Sequence, residues 1–389
     1  MPSIRDTISN FFSSVKPLSA GMYHYQSPPD DPRNYRLHLR IESGGSGVLI
    51  VNAATILHLN QTAAEYAYYL VQNLPPDQVA RKMSSRYGVS RDQAQTDYQD
   101  LIERIQTLVN TPDLDPVTFL DFDRQAPLTG HISAPYRLDC ALTYNLPTGA
   151  IAGAAPAERV ARELTTAEWQ TVLDKAWQAG IPQIVFTGGE PTLRADLVQL
   201  IAHAEKNGQV AGLLSDGLRL AEKEYLNSLL QTGLDHLMMI FQHENELSWK
   251  ALQNALAADL SVAVHLTMTE QNQALVHTLL DRIALAGVKA ISMSASDPAL
   301  SADLQAARDY SASLDMELVW NLPVPYSSTN PIAVETQEHG LLQGAGRAWL
   351  YVEPDGDVLP AQGVTRTLGN LLRDPWEQIW KGQDGAQSP

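Results

Sequence analysis

The 389-residue sequence predicts an α/β fold: a partial (β/α)6 TIM-type barrel, preceded by a winged-helix-like α+β domain and followed by a small C-terminal extension. Three observations predict it. Apolar strand-like runs alternate with helical periods from residue 136 to residue 320, which is the pattern of parallel βαβ units. Hairpin signals followed by three helical periods fill residues 35–110. The chain is also too long for one ordinary domain.

Residues 1–34 read as a lead segment. From 35 to 59, Tyr35-Arg-Leu-His-Leu-Arg-Ile41 alternates, Ser43-Gly-Gly-Ser-Gly47 turns, and Val48-Leu-Ile-Val51 returns, which are hairpin signals. The last of the three following helices carries Ala94, Tyr98, Leu101, Ile105 and Leu108 on one face, with Ser90 placed to cap it. Residues 111–135 contain four prolines and no sustained period, as a linker does. The barrel is assigned to 136–325. Its first strand is followed by a helix that Thr165 and Glu168 start as a capping box. About six strand–helix repeats follow one another. Residues 326–389 form the extension and tail, with a hairpin around Pro354-Asp-Gly356 and a short helix at Trp376 to Trp380.

Composition narrows the function. Lys plus Arg number 27 against 44 Asp plus Glu, a net charge of −17, which opposes binding to nucleic acid or anionic lipid. No stretch reaches the roughly 18 apolar residues that span a bilayer, and residues 1–20 lack a signal-peptide pattern, so a cytoplasmic protein is expected. Cys140 is the one cysteine, which excludes internal disulfides and any site built from several thiolates.

The segment richest in chemistry is Val185-Phe-Thr-Gly-Gly-Glu-Pro191, an apolar strand running into two glycines, a carboxylate and a proline. Glycines let a backbone approach a ligand, and parallel strands bind small molecules at their C-terminal ends. Glu190 is then placed to accept a ligand ammonium. A plain βα loop explains the same residues. Among the ten histidines, His236, His243 and Glu244 group most closely, but their spacing matches no helical ligand pair, and no metal site is expected.

Thr187-Gly-Gly-Glu-Pro191 resembles the motif with which radical S-adenosylmethionine (SAM) enzymes hold the methionine end of SAM. Leu213-Leu-Ser-Asp-Gly217 is similar to that family's third-strand end, and Leu266-Thr-Met-Thr-Glu-Gln-Asn272 to its fifth. The resemblance covers residues 136–320 and implies a radical-SAM-like barrel. It implies SAM contacts at Thr187, Gly188, Gly189, Glu190, Pro191, Ser215, Asp216 and Gly217. It also implies a four-iron cluster on three cysteines in the loop after the first strand. Aligning Leu142-Thr-Tyr144 with the family's Leu-Thr-Tyr puts Leu146, Ala150 and Gly153 at the ligand positions, and none of these binds iron. Gly344-Ala-Gly-Arg347 and Tyr351-Val-Glu-Pro-Asp-Gly-Asp-Val-Leu-Pro360 resemble the SPASM extension that carries auxiliary clusters, with Gln343 and Ala361 where cysteines stand. Residues 35–110 resemble PqqD-like leader-recognition domains, which add a peptide as an extra strand.

The expected function is a degenerate radical SAM/SPASM protein that binds a precursor or leader peptide, or scaffolds an active partner enzyme, in the maturation of a ribosomally made peptide. The first alternative is a radical SAM peptide-modifying enzyme whose cluster ligands come from elsewhere. The second is a cluster-free SAM-binding enzyme working near Glu190 and Asp216.

Overall fold

The structure, a computed structural model, describes residues 15–28, 30–111, 114, 132–332 and 344–381. The chain divides into two units, Met1–Ser133 and Ala134–Pro389.

In the first unit four strands pair antiparallel in sequence order: β1 (Gly21–Gln26), β2 (Arg36–Ile41), β3 (Gly47–Val51) and β4 (Thr55–Leu59). Asn52 and Ala53 take φ of 52° and 56° between β3 and β4, the left-handed backbone that a tight hairpin needs. Three helices follow: α1 (Gln61–Val71), α2 (Pro76–Tyr87) and α3 (Arg91–Asn110). Ser90 Oγ accepts from the Gln93 N–H at 3.1 Å and caps α3. The face carrying Ala94, Tyr98, Leu101, Ile105 and Leu108 is buried against Leu39, Leu49, Ala67 and Met83. Strand β1 falls inside the segment read from sequence as a lead without elements. It is an outer strand, only half-buried, so its short run of mixed polarity gives little period; Tyr23, packed edge-on against Tyr68 at 4.8 Å, anchors it.

The second unit is built on one ten-stranded sheet in the order β11-β10-β9-β8-β7-β6-β5-β12-β13-β14. Strands β5 (Arg137–Thr143), β6 (Gln183–Gly188), β7 (Val210–Ser215), β8 (Leu234–Ile240), β9 (Ser261–Met268), β10 (Ala290–Ala295) and β11 (Glu317–Leu318) are parallel neighbours. Between them run α4 (Thr166–Ala179), α5 (Leu197–Asn207), α6 (Lys223–Gln231), α7 (Glu246–Leu256), α8 (Val276–Leu285) and α9 (Ser301–Ser313). Strand β12 (Trp349–Val352) adds parallel to β5 on its other side, and β13 (Asp357–Leu359) and β14 (Gly369–Asn370) extend it antiparallel before α10 (Trp376–Lys381). The sheet is therefore mixed. The capping box at α4 is formed, with the Thr165 N–H donating to Glu168 Oε2 at 2.9 Å.

Side chains alternate along each strand. Leu138, Cys140 and Leu142, Ile184 and Phe186, and Leu213 and Met239 point to the helices and form the main core with Trp169, Leu173 and Leu252. The opposite, inner face carries a separate apolar cluster of Val185, Leu214 and Met238. Most of the linker, residues 112–113 and 115–131, lies outside the described residues.

Candidate functional site

Strand β6 runs straight into Gly188 and Gly189. A Cβ on Gly188, whose φ is 125°, would lie 2.3 Å from Thr143 O, and one on Gly189 would lie 2.4 Å from Asn145 O. The cause is backbone pairing that outlasts the strands: the Gly189 N–H donates to Thr143 O at 2.8 Å and the Glu190 N–H to Asn145 O at 2.9 Å. The sequence predicts room for a ligand's close approach at these two glycines. On the Cβ side of both, that room is taken by the chain itself, and the Leu146 side chain stands 3.1 Å from where a Gly189 Cβ would be.

Glu190 is 3% exposed, and its carboxylate is spent on internal donors. Oε1 accepts from the Thr192 N–H at 2.8 Å, Thr192 Oγ1 at 2.5 Å and Ser215 Oγ at 2.8 Å, and Oε2 accepts from the Asp216 N–H at 2.8 Å. Burial, reinforced by the Asp216 carboxylate, pushes Glu190 up to about 7, against the lowering pull of these hydrogen bonds. Burial raises Asp216 as well, while its Oδ1 accepts from the Leu218 N–H at 2.9 Å. Gly217 has φ of 71°, and a Cβ there would meet Met239 at 2.5 Å. Thr187, Gly188, Gly189, Glu190 and Pro191 are thus brought beside Ser215, Asp216 and Gly217. The Glu190 carboxylate turns toward Thr192 and β7, so the expected ammonium acceptor already holds four hydrogen bonds from the protein.

The loop where a cluster is expected is apolar. Leu146 packs with Tyr144, Tyr326, Tyr351 and Leu359; Ala150 closes a turn onto Pro147 O at 3.1 Å; Gly153 is exposed. Cys140 is fully buried inside β5, and burial pushes its thiol well above the ordinary range. Among the described residues no group of three or more His, Cys, Asp or Glu is placed to hold a metal ion. These side chains do not fit a thiolate-held cluster. In the extension, the Gly346 N–H donates to Pro360 O at 2.8 Å, which sets the glycine turn against the segment leading to Ala361; Gln343 lies outside the described residues. His236 and His243 do not converge. His236 is pressed on Gly212, and the His243 carbonyl accepts the Trp249 indole N–H at 2.9 Å.

Two groups escaped the sequence reading. Thr192 supplies half of Glu190's donors, and its position two residues on, where a hydroxyl side chain closes a local turn, is the signal that marks it. Arg194 fastens the ends of the 144–165 loop: it donates to Leu142 O and Leu164 O at 3.1 Å and pairs with Asp196 at 2.7 Å. Glu163 accepts from Thr143 Oγ1 at 2.5 Å beside it.

Residues 140–261, which run from within β5 past β8 and hold the glycine-rich turn after β6, match the sequence profile of the Radical SAM superfamily. Among characterised proteins, the chain is similar to the PqqA peptide cyclase of Streptomyces rochei, 27% identical over 280 residues that make up 64% of this chain and 76% of the relative. It is 28% identical over 240 residues to the PqqA peptide cyclase of Rhodopseudomonas palustris, covering 54% of this chain and 62% of that one, so the match spans less than two thirds of the second relative. Its fold is shared with the crystal structure of Streptococcus suis SuiB, at a TM-score of 0.56 and 14% identity over 92% of this chain and 88% of that one. SuiB bound to its precursor peptide SuiA gives the same TM-score of 0.56 at 15% identity.

Proposed function

We propose that this protein is a cluster-free relative of the radical SAM peptide-modifying enzymes that acts as a peptide-binding or scaffolding partner in the maturation of a ribosomally made peptide. The observation that carries the reading is Leu146. It aligns with a cluster ligand, packs into an apolar cluster instead, and leaves Cys140, buried in β5, as the chain's one thiol. The internally bonded Glu190 agrees with it. The similarity to peptide cyclases, and to a fold whose solved relative holds a precursor peptide, supports peptide as the partner class.

The residues 35–110 domain, of the PqqD-like kind, would take the leader at an outer strand of its sheet. Strands β1 and β4 are the two outer strands of that sheet, the position at which an added strand pairs in such recognition. The degenerate SPASM-like segment, 326–389, would brace the barrel, and a catalytically active enzyme would be the second partner.

The test is twofold. Iron and sulfide are measured with an absorption spectrum after anaerobic expression and reconstitution, and binding of a precursor leader peptide encoded nearby is followed by calorimetry. Cluster-free protein that binds the leader supports the reading; stoichiometric iron and sulfide overturns it. The profile match over residues 140–261 favours one second reading, a radical SAM enzyme completed by cluster ligands from a partner chain, with SAM at Thr187 to Pro191 and Ser215 to Gly217. Formation of 5′-deoxyadenosine from SAM and dithionite by the reconstituted complex would select it.

A further inference from the structure

Helices α7 and α8 leave an open groove of about 360 Å³ between them. Glu246, Trp249, Lys250 and Gln253 of α7 line one wall, at the three- and four-residue spacing that puts side chains on one helix face. Arg282 and Leu285 of α8 line the other.

Trp249 is the fixed point of the groove. Its indole N–H donates to His243 O at 2.9 Å, and its ring stands edge-on to Phe241 at 4.6 Å. The Arg282 guanidinium lies over that ring, 3.7 Å from its centre. Stacking uses the flat face of a guanidinium and leaves the N–H fork on its edge, which matches a carboxylate, uncommitted.

Among the described residues, no hydrogen bond or ion pair joins the side chain of Arg282, Lys250 or Glu246 to another side chain, although all three line the same groove. Leu285, 90% exposed, adds an apolar side chain that the fold leaves in water. Two cations and one carboxylate thus share one small volume, in a chain whose net charge of −17 opposes anions elsewhere. The complementary ligand carries two carboxylates and one ammonium on a short aliphatic stem.

We propose that this groove binds an acidic α-amino acid: its carboxylates pair with Arg282 and Lys250, its ammonium pairs with Glu246, and its methylene stem lies along Leu285. The site shares no residue with those of the peptide-partner reading, so either can fail alone.

The experiment follows binding of L-glutamate to the full chain by saturation-transfer NMR at low ionic strength, where charge pairs are least screened. Saturable binding is expected. Glutarate, which lacks the ammonium, and L-glutamine, which lacks the second carboxylate, should each bind about tenfold more weakly or worse. R282Q should weaken glutamate about tenfold or more. K250Q, which leaves Arg282 on Trp249, should weaken it in the same sense. E246Q should keep binding but lose the preference for glutamate over glutarate. Absence of saturable binding, glutarate and glutamine binding as well as glutamate, or affinity unmoved by both R282Q and K250Q would each overturn the proposal. So would displacement of glutamate by an equal concentration of sulfate, which would make the groove a general anion patch.

Discussion

Ser215 Oγ donates to Glu190 Oε1 at 2.8 Å, so the end of β7 is hydrogen-bonded to the turn that follows β6. With the Asp216 N–H on the other oxygen, one buried carboxylate ties two adjacent strand ends together. A group in that position contributes to stability before it contributes to binding.

Glu190→Ala should therefore destabilise the protein by about 2–3 kcal/mol, because it strands two backbone N–H groups and two hydroxyls in a buried place. Glu190→Gln should cost less, since its amide oxygen still accepts from Thr192 and Ser215. Urea unfolding of both variants reads this directly. A loss near zero for Glu190→Ala would show that the carboxylate is spare and available to a ligand.

The pH dependence has two opposed parts. Glu190 sits at about 7 when folded against 4.5 normally, so the folded state binds the extra proton between those values; its contribution is largest at low pH and is lost as pH rises through that window. His236 and His265 are lowered to about 4 from 6.5 by burial, so the unfolded state binds the extra protons and stability falls as pH drops from 6.5 toward 4. His265 is held neutral between Ser292 Oγ and Ser294 Oγ, each at 3.0 Å. Compared with the unaltered chain, E190Q should gain stability more steeply with pH between 4.5 and 6.5, and H265Q less steeply, by up to about 1.4 kcal/mol per pH unit. Equal slopes in all three proteins would refute both assignments.

Gly188 and Gly153 separate backbone crowding from loop freedom. Gly188→Ala puts a Cβ 2.3 Å from Thr143 O at φ of 125°, and should cost about 3 kcal/mol or prevent folding. Gly153→Ala meets nothing within 4 Å at φ of 75° and should cost only about 1 kcal/mol. Melting temperatures in that order would agree with the β5–β6 pairing; the reverse order would contradict it.

Installing the missing thiols tests the alignment. L146C/A150C/G153C, reconstituted anaerobically, should take up iron and sulfide to about four of each per chain. Failure of a folded triple variant to take up iron would mean that the register set at Leu142-Thr-Tyr144 is wrong.

The strand–helix alternation, the α3 face and the Thr165–Glu168 capping box are legible in the sequence because each depends on residues within a few positions of one another. So is the grouping of Thr187 to Pro191 with Ser215 to Gly217, since both lie at the ends of neighbouring parallel strands. Strand β1 is not, because an outer strand needs little apolar period of its own. Nor is Leu146, whose apolar partners Tyr326, Tyr351 and Leu359 lie more than a hundred residues away in the chain.

The sequence by itself determined the α/β kind of fold, the glycine-rich turn after β6, and the fact that one cysteine cannot supply a three-thiolate site. Only the tertiary structure decided what those residues face. Gly188 and Gly189 adjoin the backbone of residues 143–145, Glu190 turns toward β7, and Leu322 lies against Val185, Leu214 and Met238 on the inner face of the sheet. Local propensity sets where strands and turns begin, but the direction of a buried carboxylate depends on which donors distant segments bring within about 3 Å of it.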